Sequence, residues 1–380
     1  MIILQVLPAL NSGGVERGVV DVANFIDKSG HKSIVLSAGG KLQSFLGKKV
    51  QHIKLNVSSK NPFTIYRNIK KIRKIIIENK VDILHVRSRA PAWSCYYAVR
   101  GTNCKIITTF HGTYSFNLLS KKPSKLKKIY NKIMLKGSHV IAVSEFIKNH
   151  IKENYPENYD ENKVTVIHRG VDIENFDLKK ISQQMRINLV KQWQIPDDKK
   201  VIILPGRITS WKGHEFLIDA LKMLKRDDYL CLFVGDVAKK TAYKKKIEQK
   251  IISSNLEGMV RFVGSSTNMG AVYSICDLVI SASTSPEAFG RIAIEAQAME
   301  KVIIATNIGG SKETIINGET GFLIENRNVK EMCDKIDYVL SMSEDEHQII
   351  GVKARNYVVQ HFSNQLMYEK TMEVYQNLLK

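Results

Sequence analysis

The chain has 380 residues, of which 44% are hydrophobic and 25% charged, and its formal net charge is +20. This length exceeds the number of residues that usually share one hydrophobic core, and it predicts two domains of roughly 150–200 residues. The composition excludes a largely disordered chain. No stretch approaches the roughly 20 consecutive apolar residues that a transmembrane helix needs, so we expect no membrane-spanning helix.

The first half of the chain alternates short apolar segments with amphipathic ones. The amphipathic segment that follows the first apolar one closes at Gly30, which is typical of a helix C-terminus. Apolar strands that alternate with helices indicate parallel βαβ units, and therefore an open, doubly wound sheet. The predicted strands are residues 2–7, 33–37, 82–86, 105–110, 139–144 and 164–168.

The alternation stops after residue 171 and restarts at residue 201. We therefore predict an N-terminal domain (residues 1–172), a linker (173–199) and a second doubly wound domain (200–362), with a C-terminal helix over 363–380 that can cross back onto the first domain. The strands predicted in the second domain are residues 201–206, 230–235, 259–264, 277–283 and 301–306. The predicted fold class is α/β, with two Rossmann-like domains that face each other across a cleft, and ligands of such sheets bind at the carboxyl ends of the strands.

The first strand of the second domain leads into a basic loop. Gly206-Arg207 ends the strand, and Trp211-Lys212-Gly213-His214 opens the next helix. An Arg at a strand end and a Lys at a helix start can converge on one anion, and the helix N-terminus adds to the attraction. The alternative is an ordinary basic surface loop, in which the Trp only packs.

A second pattern follows the strand predicted at 277–283. The loop Ser285-Pro286-Glu287-Ala288-Phe289-Gly290 precedes an apolar helix that carries Glu295. Glu287 can accept hydrogen bonds from sugar hydroxyls, and the amides at the helix start can face a phosphate. Glu295 needs a polar partner on so apolar a helix, and ribose hydroxyls would supply one. The alternative is that Glu287 caps the helix and Glu295 pairs with a neighbouring base.

Other classes of site find less support. The segment Gly13-Gly14-x-x-x-Gly18 lacks the G-x-G-x-x-G spacing, and no acid ends the second strand, which argues against nicotinamide binding. The five cysteines stand singly, so we expect neither a disulfide framework nor a zinc cluster, and we predict a protein of the reducing cytoplasm. No signal peptide is expected at the N-terminus, which has no basic leader.

Taken together, these motifs resemble the family 4 retaining glycosyltransferases of the two-domain GT-B fold, and most closely the bacterial enzymes of lipopolysaccharide core or surface polysaccharide assembly. The resemblance runs in order over almost the whole chain. It is carried by Gly13-Gly14-Val15-Glu16, Phe110-His111-Gly112, Val143-Ser144-Glu145, Arg169-Gly170-Val171-Asp172, Gly206-Arg207 with Lys212-Gly213, Val263-Gly264, Glu287 with Glu295, and Gly309-Gly310 with Glu313, Gly318 and Gly321. One departure is Arg169, which stands where the family usually has Asn.

The resemblance implies a role for each matching residue. Arg207 and Lys212 would hold the donor diphosphate, Glu295 the ribose and Glu287 the transferred sugar. The remaining donor contacts would come from the backbone of Gly13, Gly14, Val263, Phe289 and Gly290, and His111 would lie beside the sugar. His111 can also be a core histidine. We find no Asp-x-Asp pair at a strand end, which favours the two cations in place of a metal, and the expected reaction needs no cofactor and no protein nucleophile.

The positive charge is concentrated in the first half of the chain. Residues 1–180 carry 31 Lys and Arg against 13 Asp and Glu, whereas residues 181–380 carry 26 against 24. Many of these cations form two clusters. Either cluster alone can be the solvated face of a helix, but together the two suggest docking on anionic lipid at the inner face of the cell membrane. The clusters are Arg67, Lys70, Lys71, Arg73 and Lys74, and Lys121, Lys122, Lys125, Lys127 and Lys128.

The sequence therefore predicts an enzyme that moves a hexose-type sugar from a UDP- or GDP-sugar to a glycan or lipid-linked acceptor. A sugar-nucleotide epimerase or a phosphorylase of the same shape is the alternative among enzymes. A basic nucleic-acid-binding protein is the alternative of another class. The sequence shows no helix-turn-helix, RNA-recognition or zinc motif, so we expect no nucleic-acid partner.

Overall fold

The computed structural model describes residues 1–11, 13–114, 125–236 and 241–380. The chain forms two compact units, Met1–His168 with Met367–Lys380, and Arg169–Leu366. The segment 173–199, predicted as a linker, belongs to the second unit, and the chain returns to the first unit at Met367.

The described part of the first unit contains a seven-stranded parallel sheet of order β3-β2-β1-β4-β5-β6-β7. Its strands are β1 (Ile2–Val6), β2 (Lys32–Ser37), β3 (Gln51–Lys54), β4 (Ile83–Val86), β5 (Lys105–Phe110), β6 (His139–Ala142) and β7 (Val164–Val166). The helices between them are α1 (Gly14–Lys28), α2 (Pro62–Glu78), α3 (Arg89–Val99), α4 (Lys125–Asn131) and α5 (Glu145–Asn154).

The second unit contains a six-stranded parallel sheet of order β10-β9-β8-β11-β12-β13 among the described residues. Its strands are β8 (Lys200–Pro205), β9 (Tyr229–Val234), β10 (Val260–Gly264), β11 (Leu278–Ser281), β12 (Val302–Thr306) and β13 (Phe322–Ile324). Its helices are α6 (Gln183–Gln192), α7 (His214–Met223), α8 (Thr241–Ser253), α9 (Met269–Ser274), α10 (Arg291–Ala298), α11 (Val329–Leu340) and α12 (Glu344–His361). The prediction of two doubly wound parallel sheets is confirmed.

The last helix, α13 (Asn364–Asn377), is packed on the first unit from Met367 onward. Tyr375 is fully buried in an apolar cluster with Ile3, Ile83 and Ile107 of three neighbouring strands. Its hydroxyl also lies 2.6 Å from His85 Nδ1. Apolar burial and this hydrogen bond together tie the C-terminal helix to the first sheet.

The segment predicted as a linker is packed because it carries large apolar residues. Ile181 and Trp193 are each 8% exposed and lie in one cluster with Val201 and Ile203 of β8. Burial of such side chains is favourable by roughly 1.5–3 kcal/mol each, so the two residues that flank α6 hold this segment in the core of the second unit.

Two strands, β3 and β13, were not predicted, and each is one of the two outer strands of its sheet. β3 lacks the continuous apolar run of a central strand, whereas β13 is apolar but spans only three residues. The residues of β3, Gln51–Lys54, have no buried side chain at all. None of the helices that the described residues form has the length and apolar character needed to cross a bilayer.

Candidate active site

The candidate site is built at the carboxyl ends of β8 and β11, which are neighbours in the second sheet. The loop after β8 carries Arg207 and Lys212, and the loop after β11 carries Glu287. The two loops are joined by the backbone, since the Thr284 N–H donates to the Trp211 carbonyl at 2.8 Å. Parallel strands thus bring together residues that are 75 positions apart.

Gly213 makes this close approach of the two loops possible. Its φ is +78°, and a Cβ placed there would lie 1.7 Å from the Ala282 carbonyl oxygen. No other residue fits at that distance, and the left-handed conformation also favours glycine. The preceding residue, Lys212, is therefore carried directly against the start of the β11 loop.

Lys212 and Glu287 form an ion pair at the centre of the site. Lys212 Nζ lies 2.8 Å from Glu287 Oε1, and the two side chains are 10% and 13% exposed. The Ser283 hydroxyl donates to the same carboxylate oxygen, and the Lys212 ammonium lies 4.7 Å from the centre of the Trp211 ring. No partner of Glu287 Oε2 is found among the described residues, so this oxygen remains available as an acceptor.

The backbone of Glu287 is held by the glycine pair that follows β12. The Gly310 N–H donates to the Glu287 carbonyl at 2.8 Å. A Cβ at Gly309 would lie 2.5 Å from that same oxygen. The two glycines therefore set the position of the loop from which the Glu287 side chain projects.

Glu295 lies in the middle of α10, which has Gly290 as its N-cap. Its carboxylate accepts a hydrogen bond from Arg291 Nη2 at 2.6 Å and from the Tyr273 hydroxyl at 3.1 Å. Burial, and then the Glu295 carboxylate, hold the pKa of Tyr273 well above its usual range, so Tyr273 remains a donor. In the structure, Glu295 thus pairs with a neighbouring basic residue, Arg291, which is the alternative that the sequence left open. Its second partner, Tyr273, was not indicated by the sequence.

Arg207 does not join the ion pair. Its side chain is exposed, and within the described part of the chain it has no hydrogen-bond or ion-pair partner. That Arg207 and Lys212 converge on one diphosphate stays a prediction.

Two of the predicted backbone contacts lie on neighbouring elements of the same unit. Phe289 is 3% exposed, and its ring packs 5.7 Å from that of Phe362, so only its backbone can face a ligand. Val263 lies in the edge strand β10, where the pairing register shifts between Phe262 and Gly264. Such an irregularity displaces the backbone from the regular pattern of strand pairing, at the position predicted to contact the nucleobase of the donor.

Three predicted site residues belong to the first unit. Gly13 is the N-cap of α1 and Gly14 its first residue, at the end of the connection from β1 to α1. His111 follows β5, and its backbone N–H donates to the Tyr114 hydroxyl at 3.0 Å. Their approach to the donor stays a prediction.

The predicted basic clusters differ in how much the structure describes. On α2, Arg67, Lys70, Lys71 and Lys74 are exposed, whereas Arg73 Nη1 donates to the Arg100 carbonyl at 2.6 Å. Lys121, Lys122 and the side chain of Lys125 lie outside the described residues, while Lys127 is exposed and Lys128 is half-buried.

Sequence reasoning missed Ser283, Tyr273 and Arg291, which complete the contacts of the two glutamates. Arg291 stands four residues before Glu295, which is the spacing of a helical ion pair and could have been recognised. Ser283 and Tyr273 are contacts of the tertiary fold and left no such pattern. Among the described residues, no group of three or more His, Cys, Asp or Glu side chains is arranged to hold a metal ion.

Two doubly wound parallel sheets, with a lysine–glutamate pair at the strand ends of the second, are the arrangement expected of a nucleotide-sugar enzyme of the GT-B class. The family description "Glycosyltransferase Family 4" matches residues 12–175, and "Glycosyl transferases group 1" matches residues 185–356. The chain belongs to the family 4 glycosyltransferases, and it is a glycosyltransferase.

Solved structures and curated relatives agree with this assignment. A glycosyltransferase from Rickettsia africae ESF-5 is 45% identical, with a TM-score of 0.91 over 100% of this chain and 98% of that one. Anabaena Alr3699/HepE, solved in complex with UDP and glucose, has the same fold at 21% identity, with a TM-score of 0.83 over 99% of both chains. The capsular polysaccharide biosynthesis glycosyltransferase CapM of Staphylococcus aureus is 25% identical over 96% of this chain and 94% of its own length.

Proposed function

We propose that this glycosyltransferase transfers a hexose-type sugar from a UDP-sugar to a glycan or lipid-linked acceptor, with retention at the anomeric carbon and without a metal ion. The observation that carries the proposal is the 2.8 Å pair of Lys212 and Glu287. It places a cation for a phosphate beside a carboxylate for sugar hydroxyls, at the strand ends where doubly wound sheets bind ligands.

Cleavage of a glycosyl phosphate bond adds negative charge to the leaving diphosphate. Fixed cations that face this charge stabilise the transition state more than the ground state, and this differential contact accelerates the reaction. Lys212 is held by the loops and little exposed, so it needs little reorganisation to act in this way. Arg207, exposed at the start of the same loop, supplies the second cation. These two charges support a reaction in which no metal is required.

The contacts of Glu287 favour a positioning role over a nucleophilic one. Its Oε1 already accepts from Lys212 Nζ and from the Ser283 hydroxyl. Donors of this kind hold the carboxylate in place and lower its reactivity, while Oε2 can accept from a sugar hydroxyl. Retention then follows if the departing phosphate oxygen takes the proton of the acceptor hydroxyl on the same face of the sugar.

Glu295 is prepared for the ribose in a similar manner. Arg291 occupies one of its carboxylate oxygens and Tyr273 the other. Each carboxylate oxygen has a second lone pair, so two ribose hydroxyls can bind without displacing either partner. The UDP bound in the Anabaena structure supports uridine as the base, and GDP is the competing nucleotide.

A thermal-shift screen against UDP, GDP and ADP, alone and as their hexose conjugates, tests the donor assignment. A ligand at a hundred times its dissociation constant stabilises the folded state by about 2.7 kcal/mol. We expect UDP and a UDP-hexose to raise the Tm of the native chain and to have a much smaller effect on Lys212→Ala. The matched control is Lys246→Ala, which removes an exposed lysine that is paired with Glu215. Equal shifts in both variants would contradict the assignment, and a UDP-hexose converted to its epimer would identify an epimerase.

We also propose that α2 docks on an anionic membrane. Its exposed side includes Phe63, Tyr66 and Ile77, which are 69%, 56% and 58% exposed, together with Lys70 and Lys74. Large apolar side chains that point to solvent beside lysines match the acyl boundary and the anionic headgroups of a bilayer, with about 1 kcal/mol from each cation near the surface. Docking there suits an acceptor that is anchored in lipid.

Flotation with vesicles tests this surface. We expect the native chain to bind vesicles that contain phosphatidylglycerol, and Phe63→Ser with Lys70→Gln and Lys74→Gln to bind them less. The matched control, Lys48→Gln with Lys49→Gln, removes two exposed lysines of the same unit. Equal loss in both variants, or retention on duplex DNA in place of vesicles at the same salt concentration, would argue against a membrane surface.

A further inference from the structure

The first unit contains a cavity at the carboxyl ends of the outer strand β3 and of its neighbour β2. Its volume is about 360 Å³, which lies in the range of ligand pockets, roughly 300–1,000 Å³. The polar side chains that line it are Lys54, Asn56, Thr64, Arg67, Asn68 and Lys71, and no Asp or Glu lines it. We call it the cationic pocket.

The walls of the cationic pocket are held by buried hydrogen bonds. Asn68, on α2, is 5% exposed, and its side-chain amide donates to the Asn56 carbonyl at 2.9 Å. The Leu55 N–H donates to the Ser37 carbonyl at 2.8 Å, which continues the pairing of β2 with β3 beyond the strand ends. The helix and the strand-end loop are therefore fixed relative to each other, and the cavity between them is part of the fold.

The charge of the cationic pocket is uncompensated. Within the described residues, Lys54, Arg67 and Lys71 make no ion pair with a carboxylate. The pKa of His52, which precedes Lys54 by two residues on β3, is lowered by burial and then by Lys54. Thr64 lies in the first turn of α2, so the positive end of the helix dipole faces the same space. Three cations and a helix N-terminus around one cavity create a positive potential that attracts an anion.

We propose that the cationic pocket binds a phosphate group carried by the acceptor. This inference rests on the proposed transferase function and identifies the class of acceptor as phosphorylated. Arg67 presents the planar donor fork that matches phosphate oxygens, and Lys54 and Lys71 add point charges. The cavity exceeds the size of a phosphate alone, so an attached sugar or the glycerol of a lipid headgroup fits beside it.

Titration calorimetry with inorganic phosphate, in the presence of saturating UDP to occupy the donor site, tests the proposal. The variant Arg67→Gln with Lys71→Gln removes two cations of the pocket, and Lys48→Gln with Lys49→Gln is the matched control. We expect phosphate to bind the native chain and the control equally. The pocket variant should bind it about tenfold more weakly or worse, the scale of one hydrogen bond to a charged group. Equal affinity in the two variants, or no phosphate binding by the native chain, overturns the proposal.

Competition then identifies the source of the phosphate. A soluble sugar phosphate that displaces inorganic phosphate indicates a soluble glycan acceptor. Displacement by phosphatidylcholine vesicles that carry phosphatidic acid, but not by vesicles without it, indicates a lipid headgroup. The Tm shift with UDP is measured on every variant. If that shift persists while phosphate binding fails, the pocket alone is refuted; if the shift itself is missing, the donor assignment has failed.

Discussion

The replacement Lys212→Ala tests the central contact of the site. The Lys212 side chain is 10% exposed, and its Nζ lies 2.8 Å from Glu287 Oε1. Removal of the cation leaves a carboxylate with little access to water and with Ser283 as its remaining side-chain donor. Breaking a buried pair in this way costs about 3 kcal/mol, which lowers the Tm of a unit of this size by roughly 6–12 °C.

The expected loss of transition-state stabilisation is of similar size to the loss of folding stability. A fixed donor that faces the charge of the transition state contributes about 2.7–4 kcal/mol, so turnover should fall by about a hundredfold to a thousandfold. The assay is hydrolysis of the UDP-hexose without acceptor, at a temperature well below the Tm of the variant. Bound UDP is measured in parallel, so that a loss of occupancy is separated from a loss of turnover.

Two further variants give this prediction its controls. Lys246→Ala breaks an ion pair of 2.6 Å whose lysine is 62% exposed, and an exposed pair contributes only about 0–1 kcal/mol. Glu287→Gln keeps the shape of the carboxylate without its charge, and the double variant with Lys212→Ala then measures the coupling of the pair. A folded Lys212→Ala protein that hydrolyses the donor at the native rate would refute the diphosphate role of Lys212.

Three other outcomes are expected. Gly213→Ala should displace the loop and reduce turnover as much as Lys212→Ala, because its Cβ would lie 1.7 Å from the Ala282 carbonyl oxygen. The control is Gly258→Ala, where φ is +80° and nothing lies within 4 Å. This control should lose only about 1–2 kcal/mol of folding stability, from conformational strain. Burial lowers the pKa of His214 from 6.5 to about 4. As the pH falls, this imidazole is therefore protonated in the unfolded chain before it is protonated in the folded one. About 3 kcal/mol of folding stability that is present above pH 6.5 is lost as the pH falls towards 4. His214→Phe should flatten that slope in chemical denaturation between pH 7 and pH 4.5, and an unchanged slope would assign it to other groups. Dialysis against a chelator should leave donor hydrolysis at its native rate, and a clear loss that added Mg²⁺ or Mn²⁺ restores would overturn the metal-free mechanism.

Local sequence patterns were sufficient to predict the fold class. The central strands are buried on both faces, so they appear as continuous apolar runs, and the alternation with helices predicts parallel sheets. The same reasoning failed for β3, since an outer strand such as Gln51–Lys54 has no buried side chain. It also failed for residues 173–199, because a break in the strand pattern does not show whether the intervening segment is packed.

The sequence by itself determined the local setting of two predicted site residues: Lys212 before a helix, and Glu287 in a loop between a strand and a helix. Only the tertiary structure decided that these two side chains form one ion pair, because their contact depends on β8 and β11 being neighbours and on Gly213 passing close to Ala282. It also decided that Glu295 has Tyr273 as a donor. A periodic pattern reports what each element needs to bury, whereas the partner of a buried charge is set by the packing of elements that are distant in the chain.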